Sequence, residues 1–322
     1  ITVGSRNALT FHFMAAREGF ERHWLSRFVL QRAGAFSVDR ERGDIASIKT
    51  AIRILSEARF PLVIFPEGEI YHHKEELDEL NEGVASIVLR ATSKLSGECR
   101  SYVVPASIKI FHEGSVQDSF SERLSILEER ITWKPRIHKD PVDRILRLGS
   151  ALLSVKEEEF LGSARPGDLP DRIQSLREIL VGQIEELHGI SNEYLTIPKR
   201  IKAIRAIIRK ELTDCDVRPT PEREEQLYDQ LDRVFAAHQL YSYPGVYLRE
   251  NPTVDRIAET IFKLEEDVLG KARYHGLRRA EINFDSPIGV EEFLVKNQLD
   301  RKSGVGPLTE LIRTRIQTLL KG

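Results

Sequence analysis

Between residues 9 and 110, short apolar runs alternate with stretches whose apolar residues recur at helical spacing, and this alternation restricts the fold more than any other feature of the chain. Leu9-Thr-Phe-His-Phe-Met14 has strand character, and Phe20, Trp24, Leu25, Phe28 and Val29 then follow a helical period. Ala35 to Val38 forms a second short strand. Asp44 is suited to cap a helix whose apolar face is Ile45, Ile48, Ile52 and Leu55. Leu62-Val-Ile-Phe65 is an unbroken apolar run of the kind buried on both faces of a parallel sheet. Val84, Ile87, Val88 and Ala91 mark the next helix, and Ser101 to Ile110 reads as a further strand. Such alternation predicts an α/β fold with a mostly parallel sheet flanked by helices.

The run ending at Phe65 is closed by Pro66-Glu67-Gly68. Proline withholds a ladder donor and glycine admits a turn that residues with a β-carbon resist, so Glu67 falls where strand gives way to loop. Ligands of open α/β sheets bind at the carboxyl ends of the strands, which makes Glu67 a site candidate. A plain polar turn has the same composition.

The chain has 322 residues, 41% hydrophobic and 30% charged, with a formal net charge of -2. That is enough chain for a large core, and the near-neutral charge argues against a nucleic-acid binder relying on overall positive charge. The two cysteines, Cys99 and Cys215, lie far apart and suggest neither a disulfide framework nor a zinc site. A reducing, cytoplasmic setting follows from that usage. No run approaches the length of a bilayer span, and no signal-peptide pattern opens the chain. It begins at Ile1 and its only methionine is Met14, so the expected natural start lies upstream.

Three segments occur in a telling order: Gly34-Ala-Phe-Ser-Val-Asp-Arg40, Phe65-Pro-Glu-Gly68 and Val103-Val-Pro-Ala-Ser-Ile108. Together they resemble the phospholipid and glycerol acyltransferase family, which includes the glycerol-3-phosphate and 1-acylglycerol-3-phosphate acyltransferases. The resemblance covers residues 1 to about 112. It implies that Arg40 binds phosphate, that Phe65, Pro66, Glu67 and Gly68 form the substrate-holding turn, and that Pro105 shapes the acyl pocket. Arginine suits the phosphate role because its fork gives paired, charge-assisted bonds. Arg40 is equally placed for a surface ion pair with Asp39, Glu41 or Asp44.

The pattern also departs from that family. Glu69-Ile-Tyr71 follows Gly68 where many relatives carry Thr-Arg-Ser, and Ser37 stands where an aromatic residue is common. His72 and His73 come next and either supply hydrogen bonds near the phosphate or lie in an exposed loop. The family's first block, a histidine with an aspartate five positions on, is not found ahead of Gly34: His12 is followed by Arg17 and His23 by Phe28 at that offset. His73 with Asp78 and His138 with Asp143 match the spacing but lie too late in the chain, and an offset of five turns two side chains about 140° apart on a helix. The expectation is a catalytic pair upstream of Ile1, leaving here the substrate-holding half of an inactive fragment.

From about residue 115 the pattern becomes helical. Ile145, Leu148, Leu152 and Leu153, then Ile173, Leu176, Leu180, Ile184 and Leu187, recur at helical spacing, Thr220-Pro221 is a cap with its first turn, and Val254, Ile257, Ile261, Leu264 and Val268 form a narrow seam ending before Gly270. No internal repeat is evident in this region. The segment 198–210 carries six basic residues and no acidic one, with Ile201, Ile204, Ile207 and Ile208 on one face. It suits either an anionic membrane surface or an ordinary bundle helix. Ala280 to Ile288 reads as a strand and turn returning to the sheet, followed by a helix through Leu308, Leu311, Ile312, Ile316 and Leu319. The expected division is 1–114 for an α/β domain lacking its start, 115–278 for a large α-helical insertion or second helical domain, and 279–322 for the return.

The resemblance implies transfer of a fatty acyl group from acyl-CoA or acyl-carrier protein to glycerol phosphate or a lysophospholipid, without a cofactor, a metal or nucleic acid, and peripheral to the inner face of a membrane. The alternative is a non-catalytic lipid- or protein-binding module on the same sheet.

Overall fold

A computed structural model describes residues 10–21, 23–39, 44–68, 77, 79–95, 99–113, 116–132, 134–191, 194–213, 218–241, 243, 247–273 and 276–321. The chain divides into two compact units, one of residues 1–109 with 280–322 and one of residues 110–279.

The first unit opens with β1 (His12–Ala16), the short helix α1 (Glu18–Glu21), α2 (Trp24–Arg32) and β2 (Ala35–Val38). Next come α3 (Ile45–Ser56), β3 (Leu62–Val63) and α4 (Gly83–Thr92). The strands form one parallel sheet in the order β2-β1-β3, with Ala16 opposite Val38 and Phe13 opposite Val63. Asp44 caps α3 as its position suggested, accepting the Ser47 N–H at 2.9 Å. Gly34 joins α2 to β2 at φ +83°, where a β-carbon would lie 2.6 Å from the Phe11 carbonyl oxygen. On one face of the sheet, Ala51 and Ile52 of α3 and Ile87 and Ala91 of α4 form a core against Met14, Phe36, Leu62 and Ile64. In α2 no residue is buried.

Two strand expectations change. β3 is two residues long and half-buried, not a four-residue strand covered on both faces, and Phe65 is 63% exposed. It lies at the edge of the three-strand order, and the Pro66 carbonyl accepts the Asn81 N–H at 2.8 Å instead of a strand partner. Ser101 to Ile110 is not one strand. The donorless Pro105 separates β4 (Tyr102–Val103) from β5 (Ala106–Glu113), and neither joins the three-stranded sheet.

The second unit begins within β5. A 3₁₀ turn (Val116–Ser119) leads to α5 (Phe120–Ile131), α6 (Pro141–Leu161), α7 (Leu169–Leu187), α8 (Ile197–Leu212), α9 (Pro221–Tyr241), α10 (Tyr247–Glu250) and α11 (Val254–Leu269). Leu176, Leu180, Ile184, Ile204, Leu227 and Val234 centre one core, and Leu124, Leu127, Leu148, Ile261 and Leu264 centre another. The isoleucine face of the basic segment is spent in the first core: Ile201, Ile204 and Ile208 are buried, and Arg200 forms two ion pairs with Glu178 and Glu185. A membrane contact through that face is therefore corrected to a bundle packing face.

The unit also contains a repeat that the sequence reading did not detect. Asp140-Pro-Val-Asp-Arg-Ile145, Asp168-Leu-Pro-Asp-Arg-Ile173 and Thr196-Ile-Pro-Lys-Arg-Ile201 each start a helix, and their arginines stand at 144, 172 and 200, a constant spacing of 28 residues. Asn251-Pro-Thr-Val-Asp-Arg-Ile257 starts α11 with a related string. In each of the first three, the arginine clamps a glutamate late in the preceding helix: Arg144 to Glu128 at 2.8 Å, Arg172 to Glu157 at 2.6 Å and Arg200 to Glu185 at 2.6 Å. The same glutamates also serve the turn, Glu128 accepting the Arg136 N–H and Glu157 the Arg165 N–H, both eight residues on. Glu265 repeats the arrangement with the Arg273 N–H and with Arg123. The three 28-residue clamps fix where one helix ends and the next begins, and Glu128, Glu157 and Glu265 each satisfy a loop donor as well.

The chain re-enters the first unit within β6 (Leu277–Phe284), which pairs with β5. β7 (Ile288–Gly289), α12 (Val290–Asn297) and α13 (Val305–Lys321) complete it. The return does not extend the parallel sheet. β7 pairs antiparallel with β4, placing Val103 opposite Ile288. Leu308, Ile312, Ile316 and Leu320 of α13 pack on Val88 and Leu89 of α4, and Gln317 Oε1 accepts the Leu77 N–H at 2.9 Å.

Candidate active site

The parallel register brings two segments to one rim. Val38 is level with Ala16 at the end of β1, and counting on from the Phe13–Val63 pair brings Pro66 to the same level on the other side. Since both strands flank β1, the chain leaves β2 and β3 about 10 Å apart at their carboxyl ends. This is the edge at which open α/β sheets bind ligands.

On the β2 side the loop is pinned at both ends. The Asp44 carboxylate accepts the Asp39 N–H at 3.1 Å and the Ser47 N–H, while Ser47 Oγ lies 2.6 Å from the Ser37 carbonyl oxygen. Hydrogen bonds from the Ser47 side chain and backbone hold the Asp44 carboxyl below its ordinary value. Arg17 Nη1 approaches Asp39 at 3.8 Å. Arg40 itself lies outside the described residues, as do His72 and His73.

On the β3 side Asn81 is the organiser. Its Nδ2 donates to the carbonyls of Pro66 at 3.2 Å and Glu67 at 2.9 Å. Gly68 has φ +74°, and a β-carbon there would lie 2.5 Å from Asn81 Nδ2. Glycine is thus required twice, by the backbone conformation and by the amide beside it. Glu67 is half-buried and Phe65 exposed. Pro105 is buried at the break between β4 and β5, its carbonyl accepting the Asp285 N–H at 2.9 Å. Asn81 was missed in the sequence because only folding brings it back onto the turn 15 residues before it.

None of the described histidines occupies this rim with a carboxylate. His12 Nδ1 contacts the Gly34 carbonyl oxygen at the amino end of β1. His138 and Asp143 are exposed in the helical unit, and the His73–Asp78 pair lies outside the described residues. A His–Asp pair does form elsewhere: His112 Nδ1 lies 2.9 Å from Asp255 Oδ1, which also accepts the His112 N–H at 2.8 Å. With its side chain 2% exposed, His112 is closed to substrate and ties β5 to the first turn of α11. Their separation of 143 residues leaves no local signal. A cleft of about 270 Å³ lined by Leu55, Arg59, Phe60, Val88, Arg100 and Tyr102 opens at the amino end of β3, away from the rim. Among the described residues no group of three or more His, Cys, Asp or Glu side chains could hold a metal.

Residues 2–109 match the Acyltransferase family model. A segment of 57 residues is 44% identical to the 1-acyl-sn-glycerol-3-phosphate acyltransferase of Bacillus subtilis (strain 168), covering 18% of this chain and 28% of that protein. The chain thus spans less than a third of that curated relative's length. No solved structure matches. The segment matched by the Acyltransferase model contains the parallel sheet, the capped end of the loop after β2 and the Asn81-braced turn after β3, so the resemblance to that family falls on the elements that form the rim.

Proposed function

We propose that this chain takes part in moving a fatty acyl group from acyl-CoA or acyl-carrier protein to the hydroxyl of glycerol phosphate or lysophosphatidic acid, at the inner face of a membrane. The observation that carries the reading is the arrival of Asp39, bonded to Asp44, and of the Phe65–Gly68 turn at one rim of the sheet. Arg40, between the pinned ends of its loop, would hold the acceptor phosphate. Glu67 would orient the acceptor hydroxyl, and the braced turn keeps it in place. In the reaction, the hydroxyl oxygen attacks the thioester carbonyl, its proton passes to a base and then to the departing thiolate sulfur, and no covalent enzyme intermediate is needed. The described residues are assigned substrate holding only.

Calorimetric titration with glycerol 3-phosphate and with lysophosphatidate tests the assignment. Arg40→Ala is expected to weaken acceptor binding at least about tenfold, the value of a charge-assisted pair, and to raise the acceptor KM wherever turnover is measured. Unchanged binding would remove the role. A second reading, a lipid- or protein-binding module without catalysis, is favoured by the lack of a histidine–carboxylate pair at the rim among the described residues. Turnover of acyl-CoA with either acceptor would exclude it.

A further inference from the structure

The helix α2 carries an apolar face that nothing in the described structure covers. Trp24 is 73% exposed, Leu25 50%, Phe28 50% and Val29 56%, and they share one side of the helix at i, i+1, i+4 and i+5 spacing. Arg27 and Arg32 are exposed beside them, Arg32 lying over the Phe28 ring at 5.1 Å. The helix contains no acidic residue, and neither arginine has an acidic partner among the described residues. Its opposite side holds the half-buried Ser26 and Leu30.

The direction of α2 places this face beside the candidate site. β1 ends at the carboxyl rim, where the Arg17 N–H bonds the Val38 carbonyl. α2 begins shortly afterwards and runs back to Gly34, whose carbonyl accepts the Phe13 N–H toward the amino end of β1. Trp24 is therefore at the rim end of the helix, the end at which Phe65 is also exposed. Scattered surface leucines are ordinary, but a tryptophan and three further large apolar residues on one helical turn and a half, flanked by cations, have the composition of a helix lying in a bilayer interface.

We propose that the Trp24–Phe28 face of α2 is a docking surface for an anionic lipid bilayer, entered by Trp24, Leu25, Phe28 and Val29 and held electrostatically by Arg27 and Arg32. The surface presents the rim of the sheet to the phase in which an acylated acceptor resides. That purpose rests on the reading under Proposed function, whereas the binding itself does not. The basic helix α8 plays no part, its isoleucines being packed in the bundle.

The test uses the whole chain with Trp133→Phe, which leaves Trp24 as the sole tryptophan of the two. Emission and cosedimentation are followed with vesicles of phosphatidylcholine and of phosphatidylcholine mixed equally with phosphatidylglycerol, without acyl donor or acceptor. The expected result is a blue shift and cosedimentation with the mixed vesicles, lost as salt rises. Phe28→Glu should weaken this binding at least about tenfold, and Arg27→Gln or Arg32→Gln each about fivefold. All three positions are exposed, so folding is preserved and circular dichroism should be unchanged. Equal binding to both vesicle types, or no spectral response to either, would overturn the proposal. So would a dimer in sedimentation velocity that Phe28→Glu returns to monomer, because the face would then belong to a second copy. If vesicles bind but no acyl acceptor does, the proposed function fails and the surface stands.

Discussion

The two units of this chain solve the same problem by different means. In the helical unit, helices are joined by buried ion pairs: Arg144 and Glu128, on successive helices, are 1% and 0% exposed, and Arg123 of α5 and Glu265 of α11 are both 2% exposed. In the α/β unit, the segments around the candidate site are held by neutral and singly charged bonds to backbone, from Asn81 and to Asp44. The first arrangement dictates where each helix turns, at the cost of desolvating charges. The second leaves Phe65 exposed and Glu67 half-buried among the described residues at the sheet rim, the edge proposed to receive the ligand.

The sharpest way to break this comparison is to remove half a clamp. Arg144→Ala leaves the Glu128 carboxylate buried without its partner and should cost about 3–5 kcal/mol in urea unfolding of the helical unit. Replacing both partners, with Glu128→Leu and Arg144→Met, should recover most of that loss. A cost for Arg144→Ala below about 1 kcal/mol would show the clamps to be ornamental.

Acid sharpens the same point. Burial opposes the charge on Glu157, but the Arg172 hydrogen bonds and the Arg165 N–H outweigh it and hold the carboxyl below its ordinary value. A depressed folded value means that the contribution is present above the unfolded carboxylate value, near about 4.3, and is lost as pH falls through the folded one. Unfolding curves measured across that acid range should show this loss, and Glu157→Gln should flatten it.

Effects in the α/β unit should be smaller and more local. Gly68→Ala must strain a positive φ and displace the Asn81 amide, a cost of about 1–3 kcal/mol, and it should weaken acceptor binding without disturbing the helical unit. Asp44→Ala removes a cap worth about 1 kcal/mol. Because the Asp44 carboxyl is also held low, its contribution should be full above the ordinary aspartate value and fade as pH drops below it. Hydrogen exchange at the amides of Asp39 and Ser47 would report the change directly. Equal loss of stability in both units from either substitution would break the comparison.

Local features were legible. Asp44 caps α3, Thr220 precedes α9 and receives the Glu224 N–H at 2.8 Å, and α11 follows its apolar seam to Leu269. Such elements are written in neighbours three or four residues apart, which the eye can scan. The Pro66-Glu67-Gly68 turn was legible for the same reason, and it stands at the end of β3 as its residues suggested. The repeated Arg–Glu clamps were not, because only the three-residue Asp/Lys-Arg-Ile core is shared and the glutamate partners stand 15 or 16 residues upstream. The length of β3 was overread: apolar residues at 64 and 65 favour a strand, but the ladder with β1 stops at Val63 and the chain turns away at Pro66 to bond Asn81.

By itself the amino-acid order determined the helices, their caps and the turn that carries Glu67, since each depends on backbone preferences and contacts within a few residues. Tertiary structure alone decided which charges are buried in pairs, that Asn81 folds back onto the Glu67 turn, and that the face of α8 is covered while that of α2 is exposed among the described residues. Those outcomes depend on which surfaces meet. An amphipathic helix carries the same pattern whether its apolar side finds a partner or not.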